Sequence, residues 1–180
     1  FRSIYNVYNI LAAWSVCSLA GADKNAMASV INNYILKNGR MVQFKLGEHK
    51  GTLLTSKHEN SVAYDTNLDY IRRWGENCTV VVMVDAISRK YFTGETSWLW
   101  DIDFEQLIAE NVKRVVLCGK YVHDLALRFD YTGIPAEKII CCDTAAQAAE
   151  TLKADGDEEI FVVTCFSDRD KLLTLTERAQ

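Results

Sequence analysis

Along residues 4–19 the apolar side chains of Val7, Ile10, Leu11, Trp14 and Cys17 recur at intervals of three and four, with Val16 beside the stripe and Gly21 as a stop. That spacing predicts a short amphipathic helix. Asp23 is placed to cap a second helix, with Ala26, Ala28, Val30, Ile31, Tyr34, Ile35 and Leu36 on its apolar face and Asn38-Gly39 at its end. Residues 41–46 and 52–56 are short, partly alternating runs separated by Gly47 and Gly51, the pattern of a strand pair. The pattern then changes. Residues 80–84, 114–117, 138–142 and 160–164 are short Val- and Ile-rich runs that read as buried parallel strands. Helical stretches are expected at 65–74, 103–111, 121–130 and 144–154, with a last one at 168–178. Such alternation implies βαβ units and an α/β fold with an open, mostly parallel sheet covered by helices on both faces.

A chain of 180 residues that is 49% hydrophobic has enough material for one good core. The formal net charge of -4, with no run of Lys or Arg, argues against nucleic acid or an anionic membrane as the main partner. No apolar stretch reaches the roughly 18–20 residues needed to span a bilayer. The expectation is a cytoplasmic protein without membrane insertion. The six cysteines, Cys17, Cys78, Cys118, Cys141, Cys142 and Cys165, include no CxxC pair, so no metal site is expected and reduced core thiols are the simplest reading. Ligands of an open α/β sheet bind beyond the carboxyl ends of its strands. The segments to watch are therefore 56–60, 85–100, 119–123, 143–144 and 166–169.

Three stretches resemble a known family. Tyr5-Asn6-Val7-Tyr8-Asn9-Ile10-Leu11-Ala12-Ala13 looks like the N-x-x-N-x-x-A-A helix near the end of the central ATPase domain of Mur ligases, and Gly39-Arg40-Met41 resembles the G-R-M element that opens their C-terminal domain. Thr96-Ser97-Trp98-Leu99-Trp100-Asp101-Ile102-Asp103-Phe104-Glu105 is similar to the T/V-S-W-x-x-D-x-D-F-E segment of the MurT-type branch. The resemblance implies residues 1–38 as the helical end of a central domain and 39–180 as a Rossmann-like C-terminal domain with a six-stranded sheet. It also implies a function. MurT-type subunits use ATP and Mg to activate the α-carboxylate of the D-glutamate in lipid II, which is amidated with ammonia from a GatD-like glutaminase partner. This chain has no G-x-x-x-x-G-K-[ST] loop, so no cofactor is expected in it alone, and by itself it is expected to be inactive.

By the same resemblance, Glu95 stands where MurT-type subunits carry the acid that completes a Cys-His triad across the subunit interface; the alternative is a solvated loop carboxylate. The family reads D-G-R-D-x-S-W there, against Phe92-Thr93-Gly94-Glu95-Thr96-Ser97-Trp98 here. Trp98 and Asp101 are candidates for the partner interface. Packing is the alternative for Trp98 and the expectation for Trp100, and N-capping of the following helix is the alternative for Asp101 and Asp103. Arg40, Lys57 and Asn60 are the nucleotide-binding candidates, against an ion pair for Arg40 and a solvated turn for the others. The segment Lys57-His58-Glu59-Asn60 keeps only the Lys of the family's K-N-P-A-G. His123 and Asp124 are expected to cap a helix. Two other functions fit the sequence: a partner-binding module that has lost catalysis, and a Mur-type amino-acid ligase without a glutaminase.

Overall fold

The computed structural model describes residues 5–34, 40–57, 60–87, 94–154 and 159–178. Contacts divide the chain into two units, Phe1–Gly39 and Arg40–Gln180. The first holds α1 (Tyr5–Leu19) and α2 (Lys24–Asn33). Asp23 caps α2 as expected, its carboxylate accepting the N–H groups of Asn25 and Ala26 at 3.0 and 2.9 Å. The apolar stripe of α1 is largely uncovered: Val7 and Leu11 are exposed, and Ile10 and Trp14 only half-buried. The expected end of α2 at Asn38-Gly39 lies outside the described residues.

The second unit is an open sheet of seven strands among the described residues: β1 (Met41–Leu46), β2 (His49–Ser56), β3 (Cys78–Met83), β4 (Val112–Cys118), β5 (Ile139–Cys142), β6 (Glu159–Cys165) and β7 (Glu177–Arg178). Their order is β5-β4-β3-β6-β2-β1-β7. The five from β5 to β2 are parallel, while β1 runs antiparallel on β2 and β7 on β1. Successive side chains of a strand face opposite ways, so a run of five apolar residues feeds two cores at once. Val80, Val82 and Val84 pack beneath α3 (Ser61–Trp74) and α4 (Val122–Phe129), with Tyr64, Leu68, Ile71, Leu125 and Phe129. Val81 and Met83 face α5 (Ala145–Lys153) and α6 (Arg169–Leu173), with Ala148, Ala149, Leu152 and Leu172. The helices therefore cover both faces.

Three local expectations are corrected. The α-helix expected at 103–111 is replaced by two 3₁₀-helices, Ser97–Asp101 and Phe104–Leu107. Phe104 and Leu107 bury their side chains three residues apart, a spacing that one tight turn satisfies. Asp103 occupies the N-cap position of the second without a side-chain capping bond; its own N–H donates to the Asp65 carboxylate at 2.8 Å. The last helix stops at Leu173, and Glu177–Arg178 pairs with Phe44 and Lys45 instead, so part of the outer edge of β1 gains a ladder partner. The thiols are also split: Cys78, Cys118, Cys142 and Cys165 are buried, but Cys17 and Cys141 are exposed. No helix among the described residues is long and apolar enough to cross a membrane.

Candidate functional site

From β3 the chain steps outward to β4 and β5, then returns to place β6 on the other side of β3. The winding therefore reverses between β3 and β6, the point where open α/β sheets form a crevice. Here the chain's own groups occupy that point. Asp168, 0% exposed, accepts the N–H groups of Asp85 and Ala86 at 2.8 and 3.0 Å, the Cys165 thiol at 3.1 Å and the Lys171 ammonium at 3.0 Å. Lys171 also bonds Asp85, which accepts the Lys120 N–H at 2.8 Å. A buried carboxylate is tolerated only when paired and hydrogen-bonded, and this one is. Gly119 completes the edge at φ +104°; a Cβ there would stand 2.6 Å from the Val84 carbonyl oxygen.

Partial burial pushes the Asp85 carboxyl up, but the bonds from Lys171 and Lys120 outweigh it and hold the group below its ordinary range. Burial lowers Lys171, and its two aspartates raise it by more. Burial pushes Cys118 up to about 12 and Cys165 up to about 11, so neither is a thiolate near neutrality. Burial first, then the nearby Cys165 and Asp168, push the Tyr64 phenol up and keep it protonated.

The segment bearing Glu95 lies beyond β3 and is tied toward α4. Glu95 is half-buried, and its Oε1 accepts the Ser97 N–H at 2.6 Å, at the entry of the first 3₁₀-helix. The Thr96 hydroxyl donates to Asp124 Oδ1 at 2.8 Å. Asp124 lies in the first turn of α4, where no side-chain capping bond forms at the N-cap, Tyr121. Arg128 closes the segment from below: 6% exposed, it bonds both oxygens of Glu105 at 3.0 and 2.8 Å and the Ile102 carbonyl at 2.8 Å, and lies under the rings of Trp100 and Phe104. The Arg128 bond, above all, holds Glu105 below the usual carboxylate range.

The structure takes the packing alternative for Trp98 and corrects the expectation of packing for Trp100. Trp98 is 3% exposed and packs on Tyr64 at 5.5 Å between ring centroids, whereas Trp100 is 50% exposed and meets Tyr131 edge-on at 5.4 Å. The physical reason is the 3₁₀ geometry: residues two apart point to different sides, and the side facing α3 takes Trp98. Trp98 Nε1 has no hydrogen-bond partner among the described residues. Leaving it unpaired costs about 1–3 kcal/mol, against about 4–6 kcal/mol from burying 150–250 Å² of ring, so burial prevails. Asp101 is exposed at the end of the same 3₁₀-helix.

The nucleotide candidates gather elsewhere, around the end of β2. The Arg40 carbonyl accepts the Thr55 N–H at 2.7 Å, and its guanidinium lies 5.9 Å from the centre of the Phe166 ring. Lys57 is exposed just past β2. Asn60 caps α3, its side-chain oxygen accepting the Ala63 N–H at 3.0 Å. Arg40 and Lys57 carry the charge that a phosphate group attracts; Asn60 already has a structural task. His58 and Glu59 lie outside the described residues, as do Phe92 and Thr93. The strand-end segments 85–100, 119–123 and 166–169 contain Asp85, Lys120 and Asp168, which the structure brings together, but none of the three was singled out by residue, and Lys171 and Arg128 lie outside every such segment.

The family model described as MurT ligase C-terminal matches residues 58–168. A curated relative, the MurT subunit of lipid II isoglutaminyl synthase (glutamine-hydrolyzing) from Streptococcus pneumoniae, is 27% identical over 165 residues, covering 91% of this chain and 36% of that protein. The chain thus spans about a third of that relative's length. Among solved structures, MurF from Acinetobacter baumannii superposes with a TM-score of 0.62 at 15% identity, over 96% of this chain and 37% of that one. Mycobacterium tuberculosis folylpolyglutamate synthase, solved with ADP and AMPPCP, gives 0.53 at 17% identity, over 86% and 35%. At such identities the structural likeness speaks for the fold alone.

Proposed function

The chain belongs to the MurT ligase C-terminal family, and on that premise we propose that it is the C-terminal part of a ligase subunit that, with a GatD-like glutaminase, amidates the D-glutamate of lipid II. The whole-protein activity comes from the name of the relative, a glutamine-hydrolyzing isoglutaminyl synthase subunit. In this reading α1 and α2 end a central ATPase domain, which would cover the exposed stripe of α1.

One observation carries the reading: the Glu95 carboxylate is anchored at the rim of the domain by the Ser97 N–H. A carboxylate that serves an imidazole across an interface must be fixed on its own side first, because its task is to set the ring's orientation and stabilise the cation that forms. Glu95 would accept a hydrogen bond from the partner's histidine, whose other nitrogen takes the proton from the glutaminase cysteine. Trp100 and Asp101, exposed on the same 3₁₀-helix, are what a partner docking there would meet. Trp98 would support them from inside.

Bound ATP with magnesium, held by the rest of the subunit, would supply activation of the glutamate carboxylate as an acyl phosphate. From this chain Arg40 and Lys57 would reach the nucleotide, with charge but without a P-loop's cradle. The test is glutamine hydrolysis by the full-length subunit assembled with its cognate glutaminase, comparing wild type, Glu95→Gln and Glu95→Asp. Loss in the Gln variant with the complex intact, and retention in the Asp variant, is the expected result. Unchanged hydrolysis would sink the triad role and leave a partner-binding module; failure of any glutaminase to bind would leave an amino-acid ligase.

A further inference from the structure

The family segment allows Thr or Val before the Ser-Trp pair, and this chain has Thr96, whose hydroxyl is not idle: it donates to Asp124 Oδ1 at 2.8 Å across 28 positions of sequence. We propose that Asp124 is a positioning residue for Glu95, acting through the Thr96 hydroxyl; the inference rests on the reading of Glu95 given above. Asp124 is fixed because α4 is fixed: Val122, Leu125 and Phe129 on its inner side are all buried. Thr96 is the residue next to Glu95, and its carbonyl accepts the Leu99 N–H at 3.0 Å, closing the 3₁₀ turn whose Ser97 N–H holds the Glu95 carboxylate. The bond to Asp124 is therefore a side-chain link between the turn that holds Glu95 and helix α4, beside the buried ring of Trp98. A carboxylate on a loop loses its alignment through small shifts, and misplacement by about 1 Å costs on the order of a hundred-fold in rate.

Asp124 has a second, purely structural effect, since an acid in the first turn of a helix favours the helix dipole. The two roles separate chemically. Asparagine keeps the oxygen that accepts from Thr96 but loses the charge, while alanine loses both. Likewise Thr96→Val keeps the shape and removes the donor, and Thr96→Ser keeps the donor.

The experiment is steady-state glutamine hydrolysis by the full-length subunit in complex with its cognate glutaminase. Thr96→Val and Asp124→Ala are each expected to lower kcat about ten-fold, with KM for glutamine and affinity for the glutaminase unchanged. The double variant should be no worse than either single one, and Thr96→Ser and Asp124→Asn should run close to wild type. An Asp124→Asn variant as poor as Asp124→Ala, or additive losses in the double variant, would overturn the proposal. So would wild-type rates in Thr96→Val and Asp124→Ala beside a Glu95→Gln variant that is inactive; in that case the Glu95 reading survives alone. If Glu95→Gln itself hydrolyses glutamine normally, both fall together.

Discussion

Asp168 and Glu95 are two acids beyond the carboxyl end of the same sheet, held in opposite ways. Asp168 is wholly enclosed and receives two backbone N–H groups, a thiol and an ammonium. Glu95 is half-buried at the rim and takes a backbone N–H two residues on. The first sits where an open α/β sheet ordinarily binds its ligand, yet it is saturated by its own chain and ties β3 to the start of α6. The second lies two residues before a 3₁₀-helix, and that stretch is tied to α4 from the side through Thr96 and pinned below by Arg128. A buried acid supplied with donors from several elements holds a fold together, whereas a half-buried acid bonded within its own turn stays within reach of solvent.

The sharpest test of this contrast is Glu95→Gln in the assembled complex, expected to lower glutamine hydrolysis by about 10⁴-fold, the scale seen when a triad acid is neutralised. Its melting temperature should stay at the wild-type value; a large drop would make Glu95 a second Asp168. Asp168→Ala should do the reverse and destabilise this chain by about 2–5 kcal/mol, because it leaves the N–H groups of Asp85 and Ala86 without their acceptor, at about 1–3 kcal/mol each, while Lys171 keeps Asp85. Urea unfolding reads this as a lower midpoint with the slope unchanged. Next comes the tryptophan pair. Trp98→Ala should cost about 3–5 kcal/mol as a core truncation, and Trp100→Ala about 0.5 kcal/mol or less, with its larger effect on glutaminase affinity.

The smallest effect is in pH. Glu105 and Asp85 are both held below their ordinary values of 4.5 and 3.8, so the stability they contribute is present above those values and is lost as pH falls through the folded ones. Lys171 is raised above 10.5, so its contribution is complete below that value and goes only as pH rises beyond it. Stability measured against pH should therefore be level around neutrality. Asp85→Asn should narrow its gap to wild type only in acid below about pH 4.

The sheet was legible because runs such as Val80-Val81-Val82-Met83-Val84 admit few structures other than a strand buried on both faces. The 103–111 segment was not, because two apolar residues three apart suit a 3₁₀ turn as well as an α-helix, and the start of β4 at Val112 decided between them. Glu95 was found through family resemblance, since an acid in a loop carries no periodic signal. Asp168 lies in the strand-end segment 166–169 but did not stand out within it, because its backbone donors come from residues 83 and 82 positions away, a relation that exists only after β3 and β6 are paired.

The placement of the cysteines gives the sheet a chemical reporter. Each of the neighbouring strands β5, β4, β3 and β6 carries a buried thiol at one end, Cys142, Cys118, Cys78 and Cys165, while Cys17 and Cys141 stand outside. A brief pulse of alkylating reagent on the native protein should mark the outer two alone. Every further adduct, located by peptide mapping, would then record which strand end had opened, so the four thiols could time the order in which the sheet comes apart.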